Sequence, residues 1–333
     1  MTGFVPPPYP YDRLAGLVDA ANRLEGGAVD LSIGTAALRE AVAAWMARRL
    51  GVSIAPSAVA ACIGTKELVA STPQYLRLRT PERDTVLHPA IAYPTYAMGA
   101  TLAGCRAVAY EHLDGIDRDD AARALCLWVN TPANPHGVLV DLGEAAEWGR
   151  SRGVPVLSDE CYVEFTWSDR GRTVLEHGPE GVLAVHSLSK RSNLAGARVG
   201  AYAGDAELVH FLGEVRKHAG FMVPGPVQAA AIAAWGDDAH VEAQREVYRR
   251  RLERLREVLA AAGAPAPMPD GGFYLWAPAP DGDAWGLAAR LAEVGGVIVT
   301  PGETFGPAGA GFVRVAAVQP DDRIELVATR FGV

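Results

Sequence analysis

Between residues 85 and 203, six short apolar runs at 85–87, 106–110, 125–130, 154–158, 183–186 and 199–203 are separated by helix-length stretches. Strands buried on both faces read as continuous apolar runs, and strands joined through helices lie parallel. This rhythm therefore points to an α/β fold with a mostly parallel sheet. Segment 142–150, with Asp141 placed to cap its first turn, is one connecting helix. A helix is also expected over 38–50, where Leu38, Val42, Trp45, Met46 and Leu50 share a face and Gly51 offers a stop. After residue 236 the pattern changes. A long helix carries Tyr248, Leu252, Leu255 and Leu259 on one face, with Asp238 as its expected cap and Gly263 as its end. Strand-like runs follow at 272–277, 297–299 and 312–316, around the turn at Pro301-Gly302, and indicate a smaller α+β unit. The expected divisions are 1–37, 38–236 and 237–333, the first opening with an extended proline- and aromatic-rich arm at 1–13.

Asn130, Asp159 and Ser187 fall at or just after the ends of three runs, and loops at the carboxyl edge of a parallel sheet build ligand clefts. Composition narrows the chemistry there. Of 31 basic residues only Lys66, Lys190 and Lys217 are lysines. Lys190 closes the run Ser187-Leu188-Ser189-Lys190, and Gly196-Ala197-Arg198-Val199-Gly200 follows it. A lysine forms a Schiff base with an aldehyde, while hydroxyls and an arginine satisfy a doubly charged phosphate. The grouping suits a phosphorylated carbonyl cofactor. Taken alone, the same residues also suit an ordinary solvated loop.

The run 187–200 resembles the lysine-attachment signature of class I and II aminotransferases, pyridoxal-phosphate enzymes of fold type I. Asn130-Thr131-Pro132-Ala133-Asn134-Pro135-His136-Gly137 resembles that family's asparagine-proline motif, with His136 where threonine is common, and Asp159-Glu160-Cys161-Tyr162 resembles its aspartate motif. The resemblance implies a large domain with a mostly parallel seven-stranded sheet, a smaller α+β domain, and a homodimer with active sites near the subunit boundary. It also implies catalytic roles for Lys190, Asp159 and Tyr162. Lys190 would carry pyridoxal 5'-phosphate as an internal aldimine, with pyridoxamine 5'-phosphate as the turnover form. Asp159 would pair with the pyridine nitrogen, and Asn134 and Tyr162 would bond the phenolic oxygen. By the same resemblance Tyr93 stacks on the ring, Gly64-Thr65-Lys66-Glu67 forms the first phosphate loop, and Ser187, Ser189 and Arg198 complete the phosphate site. Arg314 matches the arginine that grips the substrate α-carboxylate, with Asn134 and Gly34 beside it.

The resemblance breaks after Gly34. Family members carry a further segment before the helix at 38–50, including a Gly-Tyr-Pro-like element whose tyrosine reaches the neighbouring subunit's phosphate. Here Gly34-Thr35 runs almost straight into the helix. Either the protein itself lacks this stretch or residues have been left out of the written sequence; the second is expected, and an intact mass of 35.2 kDa would overturn it.

The net charge of −8 comes with no evident basic face, which disfavours nucleic acid as a partner. Cys62, Cys105, Cys126 and Cys161 lack the paired spacing of a zinc or redox site, and the histidines form no metal constellation, so structural cysteines and no metal are expected. No basic segment leads into an apolar helix at the start, and no apolar run is long enough to span a membrane. The expected location is the cytoplasm.

At subfamily level Ile63-Gly64-Thr65-Lys66-Glu67-Leu68, Ser158-Asp159-Glu160-Cys161-Tyr162 and Arg216-Lys217-His218-Ala219-Gly220 resemble the actinobacterial type of succinyldiaminopimelate transaminase. The implied reaction is ping-pong amino transfer between L-glutamate and N-succinyl-2-amino-6-oxopimelate, in diaminopimelate and lysine biosynthesis. Two alternatives stand beside it. One is another class I aminotransferase acting on dicarboxylic, aromatic or neutral amino acids. The other is a cofactor-binding regulatory or structural homodimer without turnover.

Overall fold

The computed structural model describes residues 33–333, so the arm expected at 1–13 lies outside the described residues. Seven strands form the main sheet: β1 (Val59–Cys62), β2 (Thr85–Pro89), β3 (Arg106–Tyr110), β4 (Ala124–Asn130), β5 (Val156–Asp159), β6 (Val182–Ser187) and β7 (Gly200–Gly204). Their order is β1-β7-β6-β5-β4-β2-β3. Neighbours from β3 across to β6 are parallel, whereas β7 runs antiparallel to both β6 and β1. All six expected runs are strands, with ends displaced by no more than two residues. The apolar pattern does not announce β1, because Val59-Ala60-Ala61-Cys62 is short and alanine carries little strand preference. Its pairing with β7 defines it.

Helices cover both faces, as a parallel sheet requires. On one face α1 (Ala36–Trp45) contributes Leu38, Val42 and Trp45 to a core shared with Trp148 and Trp235. On the other, Leu68 and Leu76 of α2 (Thr65–Arg79) and Tyr96 of α3 (Thr95–Leu102) pack with Trp128 and with Leu212. The short α4 (Arg118–Ala122) precedes β4, and α5 (Leu142–Arg152) is capped as expected, Asp141 accepting from the Glu144 N–H at 2.9 Å. Three more helices complete this part: α6 (Leu188–Arg191), α7 (Ala206–His218) and α8 (Gly225–Gly236). Helix α1 continues through a π-helical turn, Met46–Leu50, and stops at Gly51, as its sequence predicts. At its other end Thr35 caps the Leu38 N–H at 3.2 Å and donates its own N–H to Gln228 at 2.8 Å, so Gly34 passes directly into α1.

The long α9 (Ala239–Ala261) ends before Gly263, but its expected cap does not form. Asp238 is itself helical, and its carboxylate is engaged by Arg48 and Arg191; Asp237 instead accepts from the Ala239 N–H at 2.8 Å. A second, antiparallel sheet has the order β8-β10-β9, from β8 (Tyr274–Pro278), β9 (Thr300–Pro301) and β10 (Phe312–Ala316). The run at 297–299 is not a strand. Val297 still closes the preceding helical segment through Leu291, and pairing with β10 begins only at Thr300. Leu252 and Leu259 of α9, Leu287 of α10 (Ala284–Arg290) and Ile324 of α11 (Asp321–Arg330) pack with Leu275 and Val313 as a separate core. Among the described residues, no helix is long and apolar enough to cross a membrane, and no group of three or more His, Cys, Asp or Glu residues could hold a metal ion.

Candidate active site

The carboxyl ends of β4, β5 and β6 bring Asn130, Asp159 and Ser187 to one edge, where a cavity of about 410 Å³ opens. Thr65, Lys66, Tyr93, Asn134, Lys190 and Arg314 form part of its wall, and Asp159, Tyr162, Ser187, Ser189 and Arg198 line it as well. Gly64 borders it through Arg198. Gly34 is not among the lining residues; it lies against Ala61 and Leu38. Lys217 is buried, 2.6 Å from Glu214, and does not line the cavity either.

One end is built for an anion. The fifteen-residue α2 starts at Thr65, so its unpaired N–H groups and positive dipole end face this region. Gly64 precedes it at φ 91°, and a Cβ there would stand 2.3 Å from Arg198 Nη2. The missing side chain is what lets the guanidinium lie against the loop. Arg198 has left-handed backbone geometry, φ 55°, and its Nη1 donates to the Ala195 carbonyl at 2.9 Å. It reaches the cavity because β7 is reversed. Gly200 registers with both Cys62 and Ser187, so the beginning of β7 meets the ends of its neighbours.

The other end is acidic. Asp159 is buried, its Oδ2 accepting from Tyr96 at 2.9 Å and its Oδ1 from the Cys161 N–H at 3.2 Å. Burial pushes its carboxyl above the ordinary range, opposed by hydrogen bonds from Cys161 and Tyr96 and by the charge of Lys190. A cationic N–H placed beside it would hold it ionised. Asn130 braces this edge: its Nδ2 donates to the Asp159 carbonyl at 2.8 Å and its Oδ1 accepts from the Asn134 N–H at 2.7 Å.

Between the two ends stands Lys190, its Nζ 5.6 Å from the Tyr162 ring centroid and 5.8 Å from that of Phe273. Tyr162 is buried, with its hydroxyl 3.0 Å from that of Tyr274. Burial first, and then the neighbouring Tyr274, raise its phenol well above the ordinary value. Arg314 Nη1 donates to Asn134 Oδ1 at 2.8 Å, and its guanidinium lies 4.4 Å from the Tyr274 ring and 4.8 Å from that of Phe305. Its buried Nε has no partner among the described residues, so it can donate to a ligand. Lys66 Nζ lies 5.6 Å from the half-buried Tyr93 ring.

This donor set fits an elongated planar ligand with an anionic group at the α2 end and a basic ring nitrogen at Asp159. Sequence reasoning missed Tyr96, Cys161 and Tyr274, and gave Asn130 no role beyond marking a strand end. Tyr96 stands three residues after Tyr93 in the first turn of α3, a spacing that carries no sign of its partner Asp159. Cys161, expected to be purely structural, lines the cavity with its Sγ 3.3 Å from Thr65 Oγ1.

A family model described as aminotransferase class I and II matches residues 9–331. The 4-dedimethylamino-4-oxo-anhydrotetracycline transaminase OxyQ of Streptomyces rimosus is 44% identical over 305 residues, covering 89% of this chain and 83% of that protein. A probable aminotransferase of Mycobacterium tuberculosis is 41% identical over 365 aligned residues, 97% of this chain and 85% of the relative. That alignment is longer than this chain of 333 residues, so the mycobacterial protein carries residues with no counterpart here. Among solved structures, a probable N-succinyldiaminopimelate aminotransferase from Thermus thermophilus is similar, with a TM-score of 0.81 and 30% identity, covering 99% of this chain and 92% of the other.

Proposed function

The chain belongs to the class I and II aminotransferases, and from that membership we propose that it moves an amino group between L-glutamate and N-succinyl-2-amino-6-oxopimelate. It is a pyridoxal-phosphate-dependent transaminase of fold type I acting on amino and 2-oxo acids. The observation that carries the substrate reading is Arg314 on the cavity wall, a guanidinium whose buried Nε has no partner among the described residues and which suits a carboxylate. The likeness to the Thermus enzyme, named for such a substrate, supports the same reading.

When bound, the cofactor supplies a carbonyl carbon that carries the amino group and a ring that accepts electron density. In the proposed mechanism the chain's own residues do the rest. Thr65, Ser187, Ser189 and Arg198 would bind the phosphate, Asp159 would keep the ring nitrogen protonated, and Asn134 and Tyr162 would bond the phenolic oxygen. Tyr93 covers the ring face. Lys190 Nζ would be the covalent attachment point, and its amine would take the proton leaving the substrate α-carbon. The Arg314 fork holds the α-carboxylate and so orients that C–H bond. In this reading the enzyme is a homodimer, supported by the exposure of Met98 and Leu102 on α3, just beyond Tyr93.

The test compares amino transfer from glutamate to N-succinyl-2-amino-6-oxopimelate with transfer to common 2-oxo acids. The succinylated acceptor is expected to give the higher kcat/KM; equal or better efficiency with the common acids overturns the substrate assignment. Failure of glutamate alone to convert the holoenzyme to its amino form overturns the two-stage mechanism. The Streptomyces relative favours a second reading, since its name specifies a polycyclic ketone rather than an amino-acid precursor. Turnover of such a ketone in preference to the succinylated acid would establish it.

A further inference from the structure

Tyr274 opens β8 in the small sheet, opposite Ala316 of β10, and it is buried. It touches two groups of the site, Tyr162 and Arg314. Its hydroxyl is 3.0 Å from that of Tyr162, and its ring lies 4.4 Å from the Arg314 guanidinium carbon. The two tyrosine rings meet edge to face, with centroids 5.6 Å apart. Among the described residues Tyr162 is the one hydrogen-bond partner of the Tyr274 hydroxyl.

We propose that Tyr274 is a positioning residue whose hydroxyl donates to Tyr162, strengthening the bond Tyr162 gives the cofactor's phenolic oxygen, while its ring holds Arg314 at the carboxylate site. The inference rests on the cofactor placement proposed above. Each phenol has a single proton to donate. With the Tyr162 proton directed at the cofactor, the bond between the two tyrosines must be donated by Tyr274. A hydroxyl that accepts a hydrogen bond becomes a stronger donor. Tyr162 follows β5 in the large sheet and Tyr274 begins β8 in the small one, so the cofactor's electronic state depends on the two sheets standing together. The ring contact supplies a second link, since an aromatic face stabilises a guanidinium that must otherwise lose water.

The test titrates the absorbance of the bound cofactor against pH in purified holoenzyme. A donor to the phenolic oxygen favours the deprotonated, more negative form and lowers the midpoint. Tyr274→Phe is expected to raise the midpoint by about half a pH unit, and Tyr162→Phe to raise it further. Adding Tyr274→Phe to Tyr162→Phe should then leave the midpoint where Tyr162→Phe placed it. Tyr274→Leu, which removes the ring as well, should raise the KM for glutamate roughly fivefold beyond Tyr274→Phe. A midpoint unmoved by Tyr274→Phe, or moved equally in both backgrounds, overturns the role. A protein showing no bound-cofactor absorbance overturns the placement on which the role depends, and the role with it.

Discussion

Asp159 and Glu160 are adjacent, yet they serve different surroundings. Asp159 lines the cavity, whereas Glu160 lies 3.4 Å from His186 Nε2 and accepts from the Val174 N–H at 2.8 Å. Burial pushes Glu160 up from 4.5 to about 8 and His186 down from 6.5 to about 3, leaving a neutral pair with its proton on the carboxyl. From pH 4.5 to 8 the folded chain keeps a Glu160 proton that the unfolded chain has released, so this group lowers stability as pH rises. From pH 3 to 6.5 the unfolded chain holds a His186 proton that the folded chain lacks, so that group raises stability as pH rises. The two slopes cancel between 4.5 and 6.5 and leave a net fall of about 2 kcal/mol from pH 6.5 to 8. Glu160→Gln should flatten that fall in urea midpoints measured across the window; a wild-type midpoint that stays level there would falsify the pairing. Gly64→Ala tests the anion end. With φ at 91° and Arg198 at 2.3 Å from the new Cβ, a strain of about 1–3 kcal/mol should weaken cofactor binding roughly ten- to hundredfold, read by equilibrium dialysis. Lys190 and Asp159 are legible in sequence because their chemistry is written in their own motifs. Tyr96 and Tyr274 are not, because each acquires meaning from a partner 63 or 112 residues away.

At the scale of elements, α6 has four residues and cannot stand on its own hydrogen bonds. Arg191 secures it. Its Nε donates to Glu164 at 2.9 Å, and its terminal nitrogens reach the Ala234 carbonyl at 2.6 Å and Asp238 at 2.6 Å. The Trp45 indole donates to the same Glu164 oxygen at 2.7 Å, so the lysine-bearing turn is tied to α1, α8 and the start of α9. Arg191→Met should destabilise the protein by about 3–5 kcal/mol, because Glu164 then loses its most buried cationic partner. A loss below about 1 kcal/mol in denaturant unfolding would show that Arg49, also bonded to Glu164, suffices. The central strands are legible for the reason that makes them central: buried on both faces, they are continuous apolar runs. What escapes is set by long-range competition. Asp238 has an N-cap's identity and position, but two arginines take its carboxylate. The last short strand appears where β10 can pair, not where the apolar residues lie.

At the scale of the molecule, sedimentation should return about twice the intact mass of a single chain, and Met98→Glu should shift it towards one chain. An unshifted single-chain mass for the wild type rejects the dimer. The break after Gly34 was visible in sequence only as a missing motif. In the fold it is a direct passage, closed by the Thr35 cap and the Thr35–Gln228 bond. The reversed strand has a consequence in time. Parallel neighbours β4, β5 and β6 follow one another along the chain, but β1 must wait for β7, its partners Cys62 and Gly200 lying far apart in sequence. Such distant contacts form slowly. Refolding should therefore recover tryptophan burial before it recovers cofactor capture, since the Arg198 side of the anion site is assembled only when β1 meets β7.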